Sequence, residues 1–325
     1  MKVFITGGAG FIGSHLARKL IAMGDQVTVL DNLSTGSLKN VADLQKNSNF
    51  KLITSDILDS RLVDRLVNNN DIIYHLAAVV GVKQVMEHPV DTIRVNTLGS
   101  EHVLHSCSKY GKKVLIASTS EVYGKAMKYN NSSTGLDEEN DSVFGNSHIR
   151  RWAYATSKSL DEFLALAYYQ EKKLPVVIVR FFNTVGPGQS GDYGMVIPTF
   201  VQKALAGDPI PIFGDGEQRR SFAYMGDVIN AITELMNTKK AIGQVFNIGN
   251  DAETSINNLA NLIIRKCQSS SKIQHISYQN AYGSGFEDMN RRKPNLEKIN
   301  KLIGYKPKVQ LDEIIDQVIN YYKAN

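Results

Sequence analysis

The chain has 325 residues, 42% of them hydrophobic and 21% charged, the make-up of a globular protein with one large or two joined domains rather than a fibrous or disordered chain. Lysine and arginine outnumber aspartate and glutamate only slightly, 37 against 32, without a long basic run, which disfavours a nucleic-acid binder and permits an anionic small-molecule substrate. Two distant cysteines, Cys107 and Cys267, lack metal-ligand spacing and suit a reduced cytoplasmic protein, and no apolar run suits a signal peptide or a membrane span.

In chain order, 2–6 (KVFIT) reads as a buried strand, 15–24 as a helix closing at Gly24, and 26–31 (QVTVLD) as a second strand. Apolar runs at 51–57, 71–77, 112–118 and 174–182 continue the strands, with helical periodicity at 61–69, 92–110 and 153–172 between them. Strands alternating with helices predict an α/β fold: a Rossmann-type, doubly wound parallel sheet covered on both faces, with ligands at the carboxyl ends of its strands. Residues 183–194 (NTVGPGQSGDYG) break the pattern as a loop over a site would. Helical stretches at 196–206, 226–238, 255–268 and 311–323 come next, with a short strand at 245–249. The chain thus reads as a cofactor domain, 1–182, and a smaller α/β substrate domain, 183–325, across a border that late strands are free to cross.

The segment ITGGAGFIGSHLA sets Gly7, Gly10 and Gly13 at three-residue spacing between a strand and a helix, with Phe11 and Ile12 inside the motif. Gly7 permits a tight turn, Gly10 a close approach of backbone to a pyrophosphate, and Gly13 close helix–strand packing, while the helix N-terminus offers free N–H groups. Asp31 ends the second strand 18 residues after Gly13. A carboxylate there accepts bonds from the ribose hydroxyls of NAD and repels the extra phosphate of NADP, and it also suits a turn. Asn32 stands beside it, and Asp56-Ile57, after the next strand, is placed to hold the adenine edge.

Tyr154 and Lys158 form Y-x-x-x-K at the start of a helix, on one face. A phenol with a free pKa of about 10 needs a drop of roughly three units, or about 4 kcal/mol, to act as a base near neutrality. One ammonium about 4 Å away supplies up to about 4 kcal/mol at an effective dielectric near 20, and a nicotinamide cation acts in the same direction. Thr119, at the preceding strand's end, can bond the substrate oxygen that Tyr154 deprotonates, with Ser118 and Ser120 as competitors. His102 and His105 share a helix face but have no carboxylate or cysteine partner, so a metal centre is not expected.

The glycine motif, HLAA (75–78), STSEVYG, YATSK, RFFNTVGP (180–187) and RRSFAYMGD (219–227) occur in this order across nearly the whole chain. Together they resemble the nucleotide-sugar-modifying branch of the extended short-chain dehydrogenase/reductase family. The resemblance implies an NAD-binding Rossmann domain, with Leu76, Ala77 and Ala78 also lining the cofactor, and a C-terminal nucleotide-sugar domain, the sugar being UDP-linked. It further implies catalysis by Thr119, Tyr154 and Lys158, substrate contacts from Asn183, Arg220 and Arg292, and a homodimer formed through 92–110 and 153–172.

Members of that branch begin by oxidising the sugar at C4, and Glu121 bears on the fate of the resulting ketone. A glutamate at this position resembles decarboxylases and dehydratases more than 4-epimerases, whereas Ser120 departs from the Asp-Glu pair of dTDP-glucose dehydratases. Asp31 and GGAGFIG do not match the NADP-favouring GDP-mannose dehydratases, Arg151-Trp152 resembles decarboxylases, and GMVIPTF (194–200) resembles epimerases. Ser120 and Glu121 are thus expected to serve the step after oxidation. Decarboxylation of UDP-glucuronate is the first expectation, 4-epimerisation the second and 4,6-dehydration the third. Residues 128–151 are expected to form either an ordered lid or a mobile loop over the site, and the glycosylation sequons at 130–133 carry no meaning if the protein is not secreted.

Overall fold

A computed structural model describes residues 1–129, 135–192, 194–282, 287 and 289–324. Strands and helices alternate through the first half: β1 (Lys2–Thr6), α1 (Phe11–Ala22), β2 (Gln26–Asp31), β3 (Phe50–Thr54), α2 (Ser60–Asn68), β4 (Ile72–His75), α3 (Val82–Glu87), α4 (Pro89–Tyr110), β5 (Lys113–Thr119), α5 (Ala126–Tyr129), α6 (Trp152–Lys172) and β6 (Val176–Phe181). After them come β7 (Thr184–Val185), α7 (Val196–Ala206), β8 (Ile210–Phe213), β9 (Arg219–Ser221), β10 (Ala223–Tyr224), α8 (Met225–Asn237) and β11 (Gln244–Ile248). The chain closes with β12 (Glu253–Ser255), α9 (Ile256–Cys267), β13 (Ile273–Ile276), α10 (Tyr278–Tyr282), β14 (Arg291–Arg292), α11 (Glu297–Ile303) and α12 (Leu311–Ala324).

Seven strands form one parallel sheet in the order β11-β6-β5-β4-β1-β2-β3. The apolar runs explain the arrangement. Val3, Phe4, Ile5, Val114, Leu115, Ile116 and Val176 to Val179 are wholly buried, as strands covered on both faces must be. One face packs against α1 and α8, the other against α2, α4 and α6. Strand order reverses between β1 and β4, so the loops after these strands, at Gly7 and at Leu76–Ala78, open a crevice at the carboxyl edge. β11 returns from beyond residue 182 to pair with β6. A separate core of α7, α9, α12 and β8 supports the short strands that carry Arg220 and Arg292, with Arg220 on β9 paired to Arg292 on β14.

Two sequence expectations need adjustment. α1 begins at Phe11, not residue 15, because the glycines themselves turn into the helix. Residues 82–87, polar enough to hide their period, form α3. Residues 130–134, with the sequons at 130–133, lie outside the described residues. Within the expected lid, Leu136 is buried and bridges to Pro294, and Glu138 Oε1 accepts Asn247 N at 2.7 Å, whereas residues 139–150 are exposed or half-buried.

Candidate active site

The carboxyl edge of the sheet and the C-terminal helices enclose one cleft of about 1720 Å³, lined continuously from Gly7 and Asp31 through Tyr154 to Arg220 and Arg292. A single drug-sized ligand fills roughly 300–1,000 Å³; this space suits a dinucleotide and a second ligand end to end.

At its first end the glycine loop fits a pyrophosphate. Gly7 has φ +71°, and a β-carbon there would lie 2.8 Å from the Ala77 backbone. A β-carbon on Gly13 would lie 2.3 Å from Gly7 O, so α1 sits directly on the turn. No side chain caps α1 and no acid stands in its first turn, which leaves its N–H groups for an anion. Phe11 and Ile12 flank this opening, with Phe11 edge-on to His15 at 5.4 Å. Asp31 takes Ala9 N on Oδ2 at 2.9 Å and Leu33 N on Oδ1 at 2.8 Å while still lining the cleft, so its part in the turn does not remove it from the cleft wall. Asn32 donates to Asp56 Oδ2 at 2.8 Å, and Ile57, Leu76, Ala77 and Ala78 complete this wall. These residues fit NAD.

At the centre, β5 and the first turns of α6 bring the hydroxyls together. Thr119 caps the 3-10 turn Ser120–Tyr123 by accepting Glu121 N at 3.2 Å, and its hydroxyl stands beside the Tyr154 phenol. Ser118 does not compete: its hydroxyl bonds Glu162, which Arg180 grips at 2.7 and 2.9 Å. Burial pushes the Tyr154 phenol well above its usual value, with Glu121 and Asp161 adding to it, while Thr119 and Arg292 pull the other way. Lys158 is buried and joined to Asp161.

Beside them Glu121 is clamped. Arg292 Nη1 approaches Glu121 Oε1 at 2.5 Å and Ser120 Oγ at 3.3 Å, and Arg151 Nη2 reaches both Glu121 oxygens at 3.3 Å. Burial raises the Glu121 carboxyl, yet the Arg151, Arg292 and Arg220 guanidiniums outweigh it and hold it at about 2. Arg292 Nε is buried without a partner. Asn183, at φ +24°, spends its side-chain N–H on Ser221 O at 2.8 Å, so it offers a ligand only its remaining polar atoms. Arg220 is buried behind Arg219 O at 2.9 Å and lines the same cleft.

The GDP-mannose 4,6 dehydratase family pattern matches residues 4–318. Over 323 residues the chain is 39% identical to UDP-N-acetyl-alpha-D-glucosaminuronate decarboxylase of Bacillus cytotoxicus, covering 99% of this chain and 98% of that protein. It is 34% identical to UDP-glucuronic acid decarboxylase 1 of Xenopus tropicalis, over 99% of this chain and 72% of the relative. The chain belongs to the nucleotide-sugar branch of the extended short-chain dehydrogenases/reductases. A solved member, UDP-glucuronic acid 4-epimerase from Bacillus cereus in complex with UDP-glucuronic acid and NAD, has TM-score 0.88 and 28% identity, covering 100% of this chain and 99% of that one.

Within that family frame, the sequence left several contributors unassigned. Thr6 Oγ1 accepts Leu76 N and Ala77 N at 3.2 and 3.1 Å and so shapes the turn after β4. Arg151 carried only a resemblance, though its place one turn before Tyr154 was a signal that it faces the 3-10 turn. Neither His102 nor His105 joins a metal-binding group among the described residues; His102 bonds the Ile57 carbonyl at 3.2 Å. No helix among the described residues is long and apolar enough to cross a membrane.

Proposed function

We propose that the chain is an NAD-dependent decarboxylase of UDP-linked glucuronic acid, acting through a 4-keto sugar. One observation carries the reading: Arg292 lies 2.5 Å from Glu121 and 3.3 Å from Ser120, beside Thr119 and Tyr154. Three guanidiniums, Arg151, Arg220 and Arg292, act on one carboxylate, a surplus of two positive charges (3 − 1). A diphosphate suits Arg220, and a carboxylate on sugar C6 gives Arg292 a second, bidentate partner. In this reading, residues 1–182 hold the cofactor and 183–325 the nucleotide sugar, with β11 returned to the first sheet.

The glycine loop would hold the pyrophosphate of NAD and Asp31 its ribose, and the cofactor would supply a reversible hydride acceptor for C4. Tyr154 removes the C4 hydroxyl proton and gives it back, with Thr119 bonding the same oxygen and Lys158 lending positive charge. Once C4 is a ketone, the C6 carboxylate is β to it; its bonding electrons pass toward the carbonyl as CO₂ leaves, and C5 of the resulting enolate takes a proton from water before C4 is reduced again. Arg292 and Ser120 orient that carboxylate. Glu121, ionised across the working range and engaged by two arginines, is poorly suited to take a C5 proton, which counts against 4,6-dehydration.

The second reading is 4-epimerisation of the same acid, favoured by the likeness to the Bacillus cereus epimerase. Purified protein given UDP-glucuronate, and in parallel its 2-acetamido counterpart, is expected to release CO₂ and form a UDP-pentose detectable by NMR. UDP-galacturonate without CO₂ transfers the assignment to the epimerase. No product from either acid ends the acid-sugar reading.

The same proposal includes a cytoplasmic homodimer. Val90 and Ile93 on α4, and Leu160 and Phe163 on α6, are exposed to 74%, 47%, 53% and 72% on adjacent helices, an apolar area that a two-fold partner would cover. Phe163→Glu is expected to reduce the mass in light scattering from twice 36.0 kDa to 36.0 kDa. An unchanged mass rejects this interface.

A further inference from the structure

Behind Lys158 lies an acid that the proposed chemistry does not use. Lys158 Nζ donates to Asp161 Oδ2 at 2.7 Å, with the two side chains 2% and 1% exposed. Lys158 lines the cleft and Asp161 does not. Tyr154, Lys158 and Asp161 stand at i, i+4 and i+7 of α6 and so share one face. Beyond Asp161 stands Ser100 of α4, whose hydroxyl meets His75 Nε2 at 3.0 Å, and His75 Nδ1 meets Thr6 Oγ1 at 2.8 Å. Asp161 Oδ1 is buried without a hydrogen bond of good geometry. Burying such a carboxylate is costly unless it is paired, and the Lys158 ammonium is its pair here.

We propose that Asp161 is a positioning residue for the oxidation step: its carboxylate anchors the Lys158 ammonium and supplies the counter-charge that lets it stand, buried, on the Tyr154 face of α6. The proposal rests on the reading of Tyr154 as the base. It extends a common logic, in which a reacting group is served by a neighbour that a third group orients. Few other charged groups surround the pair. On β4, His75 is pushed down to about 3 by burial and by Lys158 and stays neutral. On α4, Ser100 does not titrate. On α6, Glu162 is gripped by Arg180, and toward the cleft Glu121 is answered by its arginines. Burial pushes the Asp161 carboxyl up, and the Lys158 ammonium opposes that shift.

Asp161→Asn keeps the shape and an acceptor oxygen but removes the charge. Without its anchor the Lys158 ammonium no longer stays at the Tyr154 face, and the loss of its field there exceeds the relief from removing the Asp161 charge, which itself raises the phenol. A weaker positive field makes the phenol harder to ionise, so the acid limb of kcat/KM against pH moves to higher pH. Turnover falls on the order of tenfold to a hundredfold, at or below the low end of general-base effects because the base itself remains, with KM and NAD content unchanged. Asp161→Glu restores part of the activity and returns the limb toward its original position. A wild-type kcat and limb in folded Asp161→Asn, or a limb that moves to lower pH, overturns the proposal. If the asparagine variant does not fold, Asp161→Glu is compared with wild type, and an unmoved limb together with wild-type kcat overturns it. Tyr154→Phe, assayed alongside, separates the failures: activity there defeats the base assignment, whereas loss there with an unaffected Asp161→Asn defeats only the role of Asp161.

Discussion

Tyr154→Phe is expected to lower turnover by about a thousandfold or more while NAD stays bound. The substitution removes one oxygen from a half-buried ring that α6 positions, so folding has little to lose. The proton has nowhere comparable to go. Thr119 is already engaged with Glu121 N, Ser118 is committed to Glu162, and Glu121 is held at about 2 by guanidiniums. Left to the protein's own groups, the phenol is far from ready, because burial, Glu121 and Asp161 all raise it. Each unit of that shift is worth about 1.4 kcal/mol. A nicotinamide cation and a substrate hydroxyl therefore have to supply part of the activation, and oxidation is expected only once both ligands are in place. NMR of the product and cofactor released by denaturation check this together. A variant that turns over normally with NAD bound defeats the assignment of the base.

Much of this site was legible because single-residue chemistry determined it. Gly7 and Gly13 have no tolerated replacement where β-carbons would strike backbone at 2.8 and 2.3 Å, so the motif stands out in the sequence. Tyr154 and Lys158 are one helical turn apart, and that spacing is local. The strands were legible for a similar reason: parallel strands buried on both faces read as unbroken apolar runs. What the sequence could not display was pairing across distance. Arg292 lies 171 residues from Glu121, on a two-residue strand set by its parallel pairing with β9. No periodicity marks so short an element. Ser118, Thr119 and Ser120 are chemically alike in sequence, and only the folded chain sends the first to Glu162, the second to Glu121 N beside the Tyr154 phenol and the third to Arg292. Glu121 shows the sharpest difference. As a residue type it suggests a proton carrier, yet its neighbours make it a fixed anion.

That fixed anion leads to the second large effect. Glu121→Gln is expected to lower KM for UDP-glucuronate and, more strongly, to lower kcat. Arg292 and Arg151 now share Glu121; without its charge, both guanidiniums act on the sugar carboxylate alone. Removing one charge about 4 Å away is worth up to about 4 kcal/mol at an effective dielectric near 20, so the substrate binds more tightly. The carboxylate's charge, however, disperses as CO₂ departs. An interaction strong before the bond breaks and weaker afterward raises the barrier rather than lowering it. A fall in kcat together with KM is the signature of such ground-state stabilisation. At least about tenfold in kcat is expected, with 4-keto sugar and enzyme-bound NADH accumulating because oxidation outruns loss of CO₂. Stopped-flow absorbance of NADH and NMR of the trapped sugar read both. An unchanged kcat, or a KM that rises, would show that Glu121 does not restrain the arginines that hold the substrate carboxylate.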